Sequence, residues 1–311
     1  METNVNKMKP VRLFSFLLAV AVGLMSAFSA EAAKRSKAEH VIIVGLDGWG
    51  AYSVPKADMP NVTALMDAGC YTLKKRTVSP SSSAPNWASM FMGAPVELHG
   101  YTKWGSKTPE IPSREVNKNG IFPTVFSIMR EQRPEAEIGV LYEWDGIKHL
   151  VDTLSLSHHE QAVPDKLHPD TLCKVAEKYI IEKRPQLLAV CFDEPDHTGH
   201  AAGHDTPEYY TMLTRLDQFV GRIVEATKNA GIYDNTVIIV TADHGGINKG
   251  HGGIALQEME TPFVVAGKGI RKGGEIQESM MQYDTASTVA DILGLTQPQV
   301  WTGRPMKSIY R

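Results

Sequence analysis

Acidic and histidine side chains gather directly after three apolar segments of this chain. They are Asp47 after the first segment, Asp193, Glu194, Asp196, His197 and His200 after the second, and Asp243, His244 and, shortly afterwards, His251 after the third. If the apolar segments are parallel strands, their carboxyl ends meet at one edge of the sheet, where loops converge. The sequence therefore predicts a cluster of carboxylates and imidazoles at that edge.

Each of these residues has an ordinary explanation when it is taken alone. An aspartate after a strand is usually a turn or cap residue, and His200 and His251 could be solvated loop histidines. Together they are harder to explain without metal, because several packed carboxylates repel one another and shift their pKa values. Mixed aspartate and histidine ligands suit zinc or manganese better than calcium. We therefore expect two divalent metal ions, zinc in the first place and manganese as the alternative.

A candidate nucleophile lies in the serine-rich segment 79–90. Ser83 precedes a helical pattern that begins near Pro85, so it lies at or near a helix N-terminus. The backbone N–H groups and the dipole at that end of a helix favour a bound anion or an alkoxide. Serine is also a favoured N-cap residue, and the segment alone favours the cap over the nucleophile.

The elements that must position these residues are buried strands alternating with amphipathic helices. Near-continuous apolar runs, typical of strands covered on both faces, occupy residues 40–46, 138–142, 187–192, 237–241 and 263–266. Helical patterns begin at Thr206-Pro207 and end near Gly231, and others cover residues 123–130, 170–182 and 284–293. This alternation predicts an α/β fold of three layers, with a central, mostly parallel sheet flanked by helices.

The N-terminus has the pattern of a secretory signal peptide over residues 1–32. Lys7, Lys9 and Arg12 precede an apolar run at 13–28, and Ala30-Glu31-Ala32 supplies the small residues of a cleavage site. The alternative, an uncleaved anchor, needs roughly 20 apolar residues to span a bilayer. We therefore expect an exported protein, periplasmic or secreted, with no stable membrane span after cleavage. Residues 33–311 are predicted to form one catalytic domain, with 100–120 as a long loop or cap insertion beside the site.

Composition excludes some classes of function. The chain has 311 residues, a net charge of -3 and an isoelectric point near 6.4, which argues against a nucleic-acid-binding surface. Its three cysteines, Cys70, Cys173 and Cys191, are too few and too scattered for a disulfide framework. They are better explained as small buried residues, with Cys70 near a helix end and Cys191 in a strand.

Four motifs in order resemble those of a known superfamily. They are Asp47 after the first strand, Ser83-Ala84-Pro85-Asn86, Asp196-His197-Thr198-Gly199-His200, and Asp243-His244-Gly245. The set resembles the alkaline phosphatase superfamily, and most closely its type I phosphodiesterase/nucleotide pyrophosphatase branch. The resemblance extends from Val41 to about Pro305 and implies an alkaline-phosphatase-like fold.

The resemblance also implies a ligand set. Asp196, His200 and His251 would hold the first metal, and Asp47, Asp243 and His244 with the Ser83 hydroxyl would hold the second. His251 is the looser match, since nucleotide pyrophosphatases carry this histidine much further downstream, whereas other branches place it soon after Asp-His-Gly. Asn86 would donate a hydrogen bond to a non-bridging phosphoryl oxygen.

The resemblance implies a phosphodiesterase or nucleotide pyrophosphatase that acts on a small phosphate ester or pyrophosphate through a phosphoseryl intermediate. The alternatives are a phosphomonoesterase, a phosphonate hydrolase or an atypical sulfatase, and outside catalysis a metal-stabilised binding protein. Trp87 stands where sulfatases carry an arginine, which disfavours sulfate esters. Four aromatic residues could line a leaving-group pocket or could equally be packing residues: Trp87, Tyr101, Trp104 and Trp144.

Overall fold

The central sheet is built around β1 (His40–Leu46), whose seven residues are all buried. The computed structural model describes residues 38–310, so the predicted signal peptide lies outside the described residues. Six further strands join β1: β2 (Cys70–Arg76), β3 (Ile138–Tyr142), β4 (His158–Gln161), β5 (Leu187–Phe192), β6 (Thr236–Thr241) and β7 (Glu260–Gly267). Their order is β2-β7-β6-β1-β5-β3-β4. The five strands from β6 to β4 are parallel, whereas β7 and β2 add antiparallel pairings, so the sheet is mostly parallel as predicted.

The sequence patterns missed the two edge strands. β4 alternates between half-buried and exposed residues, and β2 is buried on one side only, so neither strand reads as a continuous apolar run. Cys70 lies near a helix end as predicted, because Gly69 is the C-cap of the helix that ends at Ala68, and Cys70 itself opens β2. All three cysteines are free and buried, as expected for small core residues.

Helices cover both faces of the sheet. They are α1 (Pro60–Ala68), α2 (Ser83–Met92), α3 (Val96–His99), α4 (Val125–Gln132), α5 (Thr171–Lys183), α6 (Asp196–Ala202), α7 (Pro207–Asn229), α8 (Leu256–Met259) and α9 (Asp284–Leu293). Alternate residues of β1 serve different cores: Val41 and Ile43 pack with α2, α4 and α9, and Ile42 and Val44 pack with α1, α5 and α7. This confirms the three-layer architecture.

The helix predictions hold to within a few residues. Thr206 caps α7 by accepting a hydrogen bond from the Tyr209 amide, and Pro207 is its first residue. Residues 100–120 form a loop without helix or strand, between α3 and α4. Within residues 38–310, every helix is too short or too polar to cross a lipid bilayer.

Candidate metal centre

Strand register brings the aspartates to one level at the carboxyl edge of the sheet. Gly45 of β1 pairs with Thr241 of β6, so Asp47 and Asp243, each two residues further on, end side by side. On the other flank the amide of Asp196 donates to the Asp47 carbonyl oxygen at 3.0 Å. The turn between them needs Gly48, which has a φ of 72° and whose added Cβ would lie 2.6 Å from that of Asp196.

Two overlapping groups of donor atoms result. The ligand atoms of Asp196, His200 and His251 lie within 4.8 Å of one another, and so do those of Asp47, Asp196 and His244. Asp243 adjoins the second group, with its Oδ2 3.3 Å from His244 Nε2. The structure thus brings all six expected side chains together, including His251, and it places Asp196 between the two groups.

The histidines are held by hydrogen bonds that face away from this cluster. In each case Nδ1 lies close to a backbone carbonyl oxygen. His200 Nδ1 lies 2.9 Å from that of Lys249, His244 Nδ1 lies 2.8 Å from that of Gly245, and His251 Nδ1 lies 3.1 Å from that of Ser81. A carbonyl oxygen only accepts, so each Nδ1 carries the proton and donates. In the neutral imidazole each Nε2 then carries a lone pair directed at the cluster, as it does in metal-ligating histidines.

Two of the carboxylates have one oxygen fixed and the other free. Asp47 Oδ2 accepts from the Trp87 indole N–H at 3.1 Å, and Asp243 Oδ1 accepts from the amides of Gly48 and His244. Asp47 Oδ1 and Asp243 Oδ2 are buried without a hydrogen-bond donor. Because a buried oxygen without a partner is costly, both atoms fit coordination to a cation.

Burial sets the electrostatics of the site. It raises the pKa of Asp47 well above its ordinary value and that of Asp243 to about 7, and neighbouring carboxylates add to both shifts. Burial also lowers the pKa of His251 to about 4 and depresses the pKa of His244. For Asp196, burial is outweighed by hydrogen bonds with two histidines, and its pKa falls below its usual range. A divalent cation would let all three carboxylates ionise beside neutral imidazoles.

Ser83 is the first residue of α2, and Ser82 occupies the N-cap position. The alternative reading of Ser83 as the cap is therefore wrong. Its Oγ lies 3.2 Å from His244 Nε2, and the carboxylate oxygens without donors lie 3.4 Å (Asp47 Oδ1) and 3.3 Å (Asp243 Oδ2) from the same nitrogen. Since that nitrogen has no proton when Nδ1 donates to Gly245, the Ser83 hydroxyl is the donor.

Asn86 does not face this space. It is fully buried, its Oδ1 accepts from the Val78 amide at 2.7 Å, and its Nδ2 donates to the carbonyl oxygens of Ser82 and Pro80. The expected hydrogen bond to a phosphoryl oxygen is not supported, because backbone acceptors already occupy its donors. Instead, Asn86 fixes the loop that leads into Ser83.

The four aromatic candidates divide into two pairs. Trp87 is 1% exposed and its indole N–H donates to Asp47, and the buried Tyr101 donates its hydroxyl to the His149 carbonyl oxygen, so neither ring is free to stack on a leaving group. Trp104 is 60% exposed and its ring lies 6.0 Å from that of Trp144. The Trp104 carbonyl oxygen accepts from the Ala84 amide, which places this pair beside the start of α2.

The sequence motifs did not identify two polar residues that pack against the site, Lys75 and His204. Lys75 is fully buried and donates to Thr241 Oγ1 at 2.6 Å and to the Ala242 carbonyl oxygen at 2.8 Å. Burial lowers its pKa to about 7, although the charge of Asp243 opposes the shift. His204, a fourth histidine, approaches Asp196. Its four-residue spacing from His200, which repeats that from Asp196 to His200, was a signal that could have found it.

Comparison with known proteins gives one consistent family. The sequence model of the type I phosphodiesterase / nucleotide pyrophosphatase family matches residues 41–260. Human ectonucleotide pyrophosphatase/phosphodiesterase family member 5 is 20% identical over 239 residues, which cover 75% of this chain and 49% of that protein. Mouse bis(5'-adenosyl)-triphosphatase enpp4 is 25% identical over 221 residues, which cover 68% and 48%. This chain spans about half the length of the curated relatives it matches.

Solved structures agree on the fold. Murine ectonucleotide pyrophosphatase/phosphodiesterase 5, in complex with AMP, superimposes with a TM-score of 0.67 at 17% identity, over 84% of this chain and 96% of that one. A putative sulfatase from Bacteroides thetaiotaomicron gives 0.70 at 16% identity, over 88% and 75%. The expected alkaline-phosphatase-like fold is confirmed.

Trp87→Phe should weaken zinc binding by about 10- to 100-fold, because it removes the donor that orients Asp47 while filling most of the same space. Zinc affinity from competition with a chromogenic chelator measures the effect. Trp301→Phe is the matched control, since that buried indole donates to the Pro123 carbonyl oxygen in the core beyond the far end of α2. Equal zinc affinities in the two variants would show that the indole does not orient Asp47.

The metal-free protein should lose stability between about pH 4 and pH 7, in part through Asp243. In the folded state the pKa of Asp243 is raised to about 7, so the folded state holds a proton that the unfolded chain has released. Stability therefore falls as the pH rises through this window. Asp243→Asn should remove this contribution. The free energy of unfolding of the variant, relative to that of wild type, should therefore rise by about a few kcal/mol between pH 4 and pH 8. Urea unfolding of both chelator-treated proteins at pH 4 and pH 8 tests this, and a pH-independent difference contradicts it.

Proposed function

This chain belongs to the type I phosphodiesterase/nucleotide pyrophosphatase family, and we propose that it is a two-metal hydrolase of phosphodiesters or pyrophosphates. The observation that carries the proposal is the position of Ser83. Its hydroxyl lies 3.2 Å from His244 Nε2 at the N-terminus of α2, next to carboxylate oxygens that lack donors. A hydroxyl in that place is suited to nucleophilic attack.

The donor set suits two divalent ions, zinc before manganese. We assign Asp196, His200 and His251 to one ion, and Asp47, Asp243 and His244 with Ser83 Oγ to the other. When bound, such ions lower the pKa of a coordinated hydroxyl and neutralise charge on a phosphoryl group. Imidazole and carboxylate ligands at this ratio are typical of zinc hydrolases.

The residues of the chain supply the rest of the mechanism. Ser83 Oγ gives up its proton to solvent and attacks phosphorus, the bond to the leaving-group oxygen breaks, that oxygen takes up a proton from solvent, and a phosphoseryl intermediate forms. Water then attacks that phosphorus and releases Ser83. The N-terminus of α2 stabilises the negative charge of the phosphoryl oxygens. Asn86 holds the loop before Ser83, so that the hydroxyl keeps its place through both steps.

The charges near the site favour a diester or pyrophosphate over a monoester. Throughout residues 38–310, the ion pairs of Asp47, Asp196 and Asp243 are made with histidines and not with arginine or lysine. The lack of a lysine or arginine paired with these three aspartates supports a diester, because the reacting phosphorus of a diester carries less negative charge than that of a dianionic monoester. A phosphomonoesterase or phosphonate hydrolase is the second candidate. A sulfatase is disfavoured, since Trp87 occupies the arginine position and is committed to Asp47.

We also propose that the protein acts outside the cytoplasm. The proposal rests on the basic, apolar and small-residue pattern of residues 1–32. It agrees with the ectoenzyme names of the relatives.

Ser83→Ala should lower turnover of bis-p-nitrophenyl phosphate by at least about 1,000-fold, because the covalent route requires the hydroxyl. Zinc content should stay near two ions per chain, since the other ligands remain. Ser82→Ala is the matched control, one residue away at the N-cap and without a side-chain capping bond, and should keep its activity.

The same assay with p-nitrophenyl phosphate and p-nitrophenyl sulfate separates the competing functions. We expect the diester to be the best of the three substrates. Dominant monoester turnover favours the second candidate, and dominant sulfate turnover rejects phosphate chemistry. Full activity of Ser83→Ala, or well under two zinc ions in the wild-type protein, would reject the two-metal mechanism with a serine nucleophile.

Trp104→Ala should reduce kcat/KM about tenfold for diesters with aromatic or nucleoside leaving groups, because an exposed indole beside the site offers a stacking surface. Diesters with methyl leaving groups should be nearly unaffected. Tyr233→Ala is the control, since this exposed aromatic residue lies before β6 at the opposite edge of the sheet. An equal loss for both kinds of leaving group would mean that Trp104 only packs against Trp144.

A further inference from the structure

His204 is a buried histidine next to the metal centre that has no place in either ligand group. It follows α6, eight residues after Asp196, and its side chain has no exposed surface. Its Nε2 lies 3.2 Å from Asp196 Oδ1. On the other side its amide donates to the Asn248 carbonyl oxygen at 2.6 Å, and its Nδ1 lies 3.2 Å from the same atom. The ring is therefore fixed between a backbone carbonyl and the carboxylate.

The two oxygens of Asp196 are used in different ways. Oδ2 faces the Nε2 atoms of His200 and His251, at 3.0 and 3.7 Å. Those three residues form a group that could share one ion, and His204 is outside that group. Oδ1 faces His204 Nε2, and because a carboxylate oxygen only accepts, this hydrogen bond requires the proton on Nε2. The ring then has either the Nε2–H tautomer or a proton on both nitrogens, in which case Nδ1 also donates to the Asn248 carbonyl oxygen. Asp196 Oδ2 is thus directed at the proposed ion, and Asp196 Oδ1 is hydrogen-bonded to His204.

The surrounding backbone leaves room for this ring. A Cβ added to Gly199 or to Gly246 would overlap the imidazole of His204. Neither glycine has a positive φ, so the space for His204 is the reason for glycine at both places. Gly199 belongs to the segment that carries Asp196 and His200, and Gly246 follows the Asp243-His244-Gly245 motif. Helix α6 and the loop that contains Gly246 are therefore both shaped around the same histidine.

We propose that His204 is a positioning residue that orients Asp196 for the ion shared with His200 and His251. The inference rests on the proposed two-metal function. His204 donates to Asp196 Oδ1 as Trp87 donates to Asp47 Oδ2. Each of these two carboxylates therefore has its own side-chain donor. Second-layer donors of this kind fix the geometry of a ligand and increase metal affinity.

A pair of amide variants tests the hydrogen bond directly. The amide nitrogen of His204→Gln can occupy the place of Nε2, whereas that of His204→Asn is one bond shorter and resembles Nδ1. The measurements are zinc affinity, from competition with a chelator, and the melting temperature of the metal-free protein. We expect His204→Asn to bind one of the two zinc ions about 10- to 100-fold more weakly, and His204→Gln to stay within about fivefold of wild type.

His40→Gln is the matched control for loss of a buried histidine. His40 is the first residue of β1, at the opposite end of that strand from Asp47. It donates from Nδ1 to the Pro185 carbonyl oxygen at 2.8 Å. It should change the melting temperature without changing zinc affinity. The inference is overturned if His204→Asn binds both ions as wild type does, or if both His204 variants lose affinity equally. Failure of the wild-type protein to bind two zinc ions would instead overturn the proposed function.

Discussion

The rest of this structure depends on the confinement of three aspartates at one buried edge of a sheet. Asp47, Asp196 and Asp243 are brought together by strand register and by a backbone hydrogen bond, and burial with mutual repulsion opposes their ionisation. Such a cluster is tolerable with bound cations and unfavourable without them. The proposed metal binding would therefore be linked to stability, because the repulsion that destabilises the cluster without cations is the repulsion that bound cations would relieve.

Preorganisation follows from how each ligand is held. Backbone carbonyls fix the Nδ1 atoms of His200, His244 and His251, so their rings cannot turn away from the cluster. The carboxylates are held on one oxygen by side-chain or backbone donors. Beneath them, buried Lys75 and Gln282 bond the Ala242 carbonyl oxygen, and Gln282 also bonds that of Asn86. Helix α2, which carries the proposed nucleophile Ser83, and the Asp-His-Gly turn, which carries His244, are thereby joined through one polar layer.

Strands, principal helices and the six clustered side chains were predictable, because they depend on local pattern and on where parallel strands end. Edge strands β2 and β4 were not, since their one-sided burial gives no continuous apolar run. The roles of Asn86, Trp87 and Tyr101 were also beyond sequence patterns, because a motif position does not tell which way a side chain points. Lys75 was not predicted because its contacts are with residues distant in sequence, and His204 was not predicted because it lies outside the known motifs.

Gly45 shows how far the demands of the site reach into the core. A glycine inside a buried strand is unfavourable, because it adds backbone entropy to the unfolded chain and offers no side chain for packing. Here a Cβ at Gly45 would overlap the Trp87 ring, which must cross β1 at this point to reach Asp47 with its indole N–H. Glycine in β1 and tryptophan in α2 are therefore one structural unit. At the position where the family resemblance puts a sulfatase arginine, this chain has a neutral donor directed at the Asp47 carboxylate, and the central strand has the glycine that makes room for it.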